Sequence, residues 1–342
     1  MSQRNLALDS ARGFSVLFIA AVHSFLVYGQ PYTHETIIAY ILRSIAEGPG
    51  VHIFLVIMGI VFTFKKYHDT KRVVKRATFI LAAGYVLNIL KFIVPFIFGG
   101  LPGGALEDLQ ISKGNELVEL LLIADVFHFA AIALVIIHFV YRLRNYWLWS
   151  IVFAVITIIA SPYLFDVHDH YIIQLFTSAP PKVFFPVISW ICYPLIGLSI
   201  GYLLQHRKQQ TIEWLFIAGI VFLLITVPII ITTENISPAG YYRPYAIESF
   251  AHIGIVFITL WLWHLVTPKI MNTQFFQLIQ FASKNITIFY CVQWIFICWL
   301  LPFTGYQTMN LLQVCMMAIY TTVMSFCITY FINRLIIKYT NQ

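Results

Sequence analysis

Arg12 and His23 lie eleven residues apart in one apolar stretch, "SARGFSVLFIAAVHSFLVYG" (10–29). In a helix, at ~100° and ~1.5 Å per residue, they share a face and stand ~16.5 Å apart along the axis. Imidazole can accept a proton or be acylated, and guanidinium binds phosphate with paired N–H donors. Three further pairs have helical spacing: Asn88 with Lys91, Asp125 with His128, and Glu248 with His252. Residues three or four apart meet on one helix face, so each pair predicts a polar patch. For Asp125 and His128 the pattern suggests a carboxylate beside an imidazole, which sets the ring tautomer and raises its basicity.

These residues sit in runs that must cross a membrane. Of 342 residues, 60% are hydrophobic and only 10% charged, against about 25% charged in soluble domains. That excludes an ordinary soluble enzyme. An ionisable side chain at a span centre costs at least ~2.5–3.5 kcal/mol, so each one kept there is a functional candidate. The plainer alternative is a helix–helix hydrogen bond, and it is preferred for His138 and His264 near helix ends.

The fold expected is an all-α polytopic membrane bundle of about ten spans: 12–30, 49–65, 76–98, 116–141, 146–165, 183–204, 211–233, 244–267, 283–301 and 309–336. A short helix at 36–47 precedes the second. No connection is long enough to fold alone, so residues 1–342 read as a single transmembrane domain with no separate soluble part. No cleavable signal peptide is evident, and the first run reads as a retained span. The five cysteines all fall in apolar segments, against a disulfide framework or zinc site. "DVHDH" (166–170) reads as a solvated loop, and no metal is expected.

Sixteen of the 21 lysines and arginines fall on one side of these spans, including those of "KKYHDTKRVVKR" (65–76). The positive-inside rule makes that side cytoplasmic, with both termini inside. His23 then falls near the midplane above Arg12. A ligand with a charged end at Arg12 and a reactive tip at His23 has the shape of acetyl-coenzyme A. Its phosphates are expected on Arg12, Arg72, Lys75, Arg76, Arg142 and Arg144.

The motifs also carry a resemblance. "LDSARGFSVLFIAAVHSF" resembles the first helix of the membrane acyltransferases of acyltransferase family 3 and of the heparan-α-glucosaminide N-acetyltransferase-like proteins. Asp9, Arg12, Gly13 and His23 match their D-x-x-R-G and R-x10-H. "GPGVHIFLVIMGI" (48–60) resembles their Gly-rich second helix, and "KRATFILAAGYVLNIL" (75–90) their third. "FASKNITIFYCVQWIF" (281–296) resembles a late helix opening G-K-N-x-x-x-x-Y, with Ser283 in place of Gly. Met58 stands where acyltransferase family 3 usually has Ser, and "LLIADVFHFAAIAL" is closer to the heparan side.

The resemblance implies acyl transfer from acetyl-coenzyme A to a hydroxyl or amine of an extracytoplasmic sugar or glycan, with His23 catalytic. Asp125 and His128 are placed with His23. Glu47, His52, Asn88, Lys91, Glu248 and Asn285 are assigned to the acceptor. The expected setting is a bacterial-type cytoplasmic membrane, with lipid as a partner, no nucleic acid, and self-association left open. A secondary transporter with a midplane site also explains buried Asp, His and Lys, but it predicts an internal repeat with broken helices, and none is visible. A scaffold in a glycan-export complex would leave the polar faces as glue. The acceptor, O- versus N-acylation, and direct transfer versus an acyl-histidine stay open.

Overall fold

A computed structural model describes residues 5–64, 69–165, 170–178, 180–233, 237 and 240–340. Arg4, Lys65, Lys66, Asp166, His168, Asp169 and Glu234, used above, lie outside the described residues. The longer helices are α1 (Leu6–Tyr28), α2 (Ile37–Ile45), α3 (Val51–Thr63), α4 (Thr70–Asn88), α5 (Val126–Tyr141) and α6 (Tyr146–Ala160). They continue with α7 (Cys192–His206), α8 (Lys208–Thr233), α9 (Ala246–Ile270), α10 (Gln274–Lys284), α11 (Ile286–Thr304) and α12 (Leu311–Thr340).

Among the described residues, nine helical runs are long and apolar enough to cross a membrane. The chain is therefore a polytopic, all-helical membrane protein, in which helices satisfy their own backbone in lipid.

Three expectations need correction. First, 36–47 is not separate from the second span. Ile37–Thr63 is one apolar run, in which α2 passes into α3 through a π turn, Ala46–Gly50, that contains Pro49. Proline has no N–H to give the preceding turn, and the wider turn accommodates the loss. Second, 116–141 is not one span. A helix over Glu116–Leu122 stops, and α5 starts again at Val126. Between them Ala124 pairs in parallel with Val183: its N–H donates to the Lys182 carbonyl (2.8 Å) and its carbonyl accepts from Phe184 (2.9 Å). Only the 16-residue α5 remains, shorter than a usual span. Third, α10 stands where a loop was expected, capped by the Thr273 hydroxyl on the Phe276 N–H.

The chain forms two compact units. One comprises the described residues of Met1–Leu8, Val51–Val86 and Leu122–Leu265; the other comprises those of Asp9–Gly50, Leu87–Leu121 and Val266–Gln342. In the first, α3 packs closely on α7. A Cβ on Gly59 would run into the Pro194 carbonyl, and one on Gly197 into the Val56 carbonyl. Two small residues let these backbones touch, a usual device where lipid offers no hydrophobic drive between helices. In the second, α1 packs on α10 at Gly13, where a Cβ would strike the Ile279 carbonyl. That contact explains the glycine of the D-x-x-R-G motif.

Also in the second unit, α4 continues into a π turn, Ile89–Ile93, then Val94–Ile97. Pro95 cannot donate to the carbonyl four residues earlier, that of Lys91. The turn is braced by the Trp299 indole N–H, which donates to the Leu90 carbonyl at 2.7 Å.

Candidate active site

His23 lies on α1, half-buried. Its Nδ1 meets the side-chain amide of Gln293 on α11, 3.1 Å from Oε1 and 2.9 Å from Nε2. Gln293 is fully buried. Trp294, the next residue, stacks on the imidazole with centroids 4.2 Å apart and planes at 29°. Tyr290, one turn earlier, presents an edge at 6.3 Å. Lys91, only 2% exposed, comes from the π turn. Its Nζ lies 5.0 Å from the Trp294 ring centroid and 4.6 Å from that of Phe92. One nitrogen of the ring is thus held by a neutral amide, beside a buried cation and an indole.

At the other end of α1, Arg12 Nε and Nη2 reach Ser283 Oγ at 3.1 and 3.0 Å, and Nη2 also reaches the Ser283 carbonyl at 3.1 Å. Asp9 accepts from Nη2 at 3.1 Å and from the Ser283 hydroxyl at 3.4 Å. The guanidinium expected to meet phosphate is therefore engaged by a carboxylate and the end of α10. Asn285, expected at the acceptor, donates through Nδ2 to the Phe281 carbonyl at 3.0 Å and closes α10. Glu47, expected there too, is held in a fork by Arg43 at 2.9 and 3.3 Å. Asn88 donates to the Leu121 carbonyl at 2.9 Å.

The other candidates belong to the first unit. Asp125 is not helical (φ −117°, ψ −175°) but is the N-cap of α5, so it and His128 do not share a helix face as expected. Its carboxylate accepts from the Val126 N–H, while its own N–H donates to His128 Nδ1 at 3.1 Å. This reciprocal capping box leaves the proton of a neutral His128 on Nε2, which makes that nitrogen a donor. Tyr85 presents its edge to His128 at 4.6 Å and bonds Tyr171 through the hydroxyls at 3.2 Å. The Tyr171 phenol is pushed well above its ordinary value, first by burial and then by that bond.

His52 is fully buried in an aromatic box of Trp190, Tyr193, Tyr241 and His252, stacked on His252 at 4.3 Å and on Trp190 at 5.1 Å. The Tyr193 hydroxyl lies 3.4 Å from His252 Nδ1. Glu248 accepts from the backbone N–H groups of Tyr245 (2.7 Å) and Ser237 (3.2 Å), a helix-start role rather than a patch with His252.

Of the basic residues, Arg72, Lys75 and Arg76 are exposed on the first turns of α4. Arg142, which is exposed like Arg144, donates to Thr70 Oγ1 at 3.0 Å and joins the start of α4 to the end of α5. Arg12 is the expected phosphate ligand that belongs to the second unit.

Gln293 is visible in the sequence only as a polar residue in a span, and Trp294 carries no local signal. Their partnership with His23 bridges 270 residues of sequence in the case of Gln293, beyond the reach of spacing arguments. Ser283, which stood out as a departure from the resembled pattern, proves to be the residue that holds Arg12.

Residues 4–233 match the family model described as heparan-alpha-glucosaminide N-acetyltransferase, catalytic. The match contains Arg12, His23, Asp125 and His128; Ser283, Gln293 and Trp294 lie beyond it. No curated protein matches the chain. The matched residues cover well over half the sequence, include the first-helix motif, and lie in a chain whose apolar helices span a membrane: the chain belongs to the heparan-alpha-glucosaminide N-acetyltransferase catalytic family, and is a membrane acetyltransferase.

Proposed function

We propose that the chain takes the acetyl group of acetyl-coenzyme A from the cytoplasmic side and transfers it to a hydroxyl or amine of an extracytoplasmic sugar. The observation that carries this reading is His23 held through Nδ1 by Gln293. With Nδ1–H donating to Gln293 Oε1, Nε2 keeps its lone pair. His23 Nε2 then accepts the proton of the acceptor hydroxyl or amine as the acceptor's lone pair attacks the thioester carbon. The ring becomes an imidazolium that still donates to Oε1, so one amide orientation serves both protonation states. When the carbonyl reforms and the carbon–sulfur bond breaks, the same proton passes from Nε2 to the departing thiolate.

Arg72, Lys75, Arg76, Arg142 and Arg144 are the residues we assign to the phosphates, since Arg binds phosphate through paired N–H donors. Their excess on the side of both termini supports the cytoplasmic assignment. Arg12 holds α1 on α10 through Asp9 and Ser283, and so fixes the helix that carries His23. His128 is assigned to the acceptor as a donor through Nε2–H.

The test is thiol release from acetyl-coenzyme A by purified protein in lipid nanodiscs, with glucosamine as the amine acceptor and N-acetylglucosamine as the hydroxyl acceptor. Release that depends on one of them is expected. His23→Gln keeps a hydrogen bond but cannot take the proton, and should lose at least the ~10²–10⁴-fold typical of a positioned base. An active His23→Gln protein would remove His23 from the chemistry.

A further inference from the structure

We infer that the indole N–H of Trp294 is the donor that binds the acyl oxygen during transfer at His23, and that Lys91 strengthens it through the ring. This rests on the reading of His23 given above.

The starting point is an unsatisfied group. Trp294 Nε1 is buried and has no hydrogen-bond partner among the described residues. A buried N–H left without a partner costs about 1–3 kcal/mol, so an orphan of this kind calls for an explanation. Indole can only donate. What completes it must therefore be an acceptor, and a carbonyl oxygen or an oxyanion suits it.

Position narrows the choice. The indole ring is stacked on the imidazole, 4.2 Å between centroids. A nucleophile deprotonated by His23 must have its electrophilic carbon ~3–3.5 Å away. The oxygen on that carbon is then brought to the neighbourhood of the ring stacked on His23. As the carbon–nucleophile bond forms, the carbonyl π pair moves onto oxygen and the indole N–H bonds the resulting alkoxide. When the pair returns and the thiolate leaves, the bond relaxes. A neutral donor neither takes nor gives a proton here, so it does not compete with His23.

Lys91 adds the electrostatics. Its ammonium, buried on the π turn, lies over the Trp294 ring at 5.0 Å. A cation on the π face draws electron density toward itself and makes the N–H a better donor, most of all when the acceptor is becoming an anion in a low-dielectric site. Lys91 acts through Trp294 and is a positioning residue; Trp294 touches the reacting oxygen.

The experiment compares turnover with a spectroscopic readout. Trp294→Phe keeps the stack and loses the N–H. Its kcat should fall by the ~10²–10³-fold seen when one oxyanion donor is removed, with the KM for acetyl-coenzyme A and thermal stability little changed. Lys91→Met should lower kcat and leave KM near that of wild type, while Lys91→Arg should restore most of the rate. In ¹⁵N-tryptophan-labelled protein, one of the eight indole signals should shift downfield with acetyl-coenzyme A but not with S-ethyl-coenzyme A, a thioether without the carbonyl.

If none of the eight signals tells the two ligands apart, the inference fails, whether or not Trp294→Phe folds. If wild type and Trp294→Phe are equally active, this inference alone falls. If wild type releases no thiol with any acceptor, the acetyltransferase chemistry proposed at His23 falls, and this inference with it.

Discussion

Arg12 and Ser283 are joined by three hydrogen bonds of 3.0–3.1 Å, two to the hydroxyl and one to the carbonyl, across 271 residues of sequence. The serine passes its own hydroxyl hydrogen to Asp9, which also accepts from Arg12. Every polar atom of Ser283 named here has a use, and the residue is almost fully buried at 1% exposed. The first-helix arginine is thus part of the joint between α1 and α10.

Ser283→Ala removes the hydroxyl without disturbing the helix. Two charge-assisted bonds are lost and a buried carboxylate loses a donor. Stability should fall by about 1.5–3 kcal/mol, the range for hydrogen bonds to charged groups, as read from thermal unfolding in detergent. Unchanged unfolding would mean that the network contributes nothing net.

Gln293→Leu should fold, because an apolar side chain of similar size is at home in a buried span position. It leaves Nδ1 of His23 without its partner and the tautomer unset. Turnover should drop by about 10–100-fold, as when a ring-orienting partner is removed from a histidine, while acetyl-coenzyme A binding persists. A fully active Gln293→Leu protein would show that the ring is oriented by something else.

For Asp125 the capping box separates structure from chemistry. Asn caps a helix about as well as Asp, whereas Ala costs about 0.5–2 kcal/mol. Asp125→Asn should therefore retain both stability and turnover, and Asp125→Ala should lose stability by that amount. A dead but folded Asp125→Asn protein would return the carboxylate to the catalytic group.

The close approach of α3 and α7 gives a packing test. Gly59→Ala places a methyl against the Pro194 carbonyl, and backbone cannot swing aside as a side chain can. Destabilisation should reach at least the ~1–3 kcal/mol of an overpacked core. Gly103→Ala, where a Cβ meets nothing within 4 Å, is the control and should be neutral. Equal melting of both variants would contradict the packing described.

Arg72→Ala combined with Arg76→Ala should weaken acetyl-coenzyme A binding, and added salt should narrow the difference from wild type because exposed charges are screened. Isothermal titration in nanodiscs measures it. Equal affinity at low salt would leave these residues a topological role only.

The sequence by itself determined the membrane class, most of the spans, and the placing of Arg12 and His23 on one helix. These depend on local quantities: run length, hydropathy and helical period. It also carried the family, because the D-x-x-R-G and R-x10-H spacing lies within α1. The break at Asp125 had a local signal, an N-cap aspartate with a partner three residues on, but the apolar run on both sides outweighed it; pairing with Val183, far along the chain, stops the helix there. Tertiary structure alone decided what each polar group meets. Arg12 meets Ser283, His23 meets Gln293 and Trp294, and Lys91 reaches the same indole because a π turn before Pro95 sets its direction. Such contacts form between helices remote in sequence, and helical periodicity fixes which face a residue occupies but not which helix covers it.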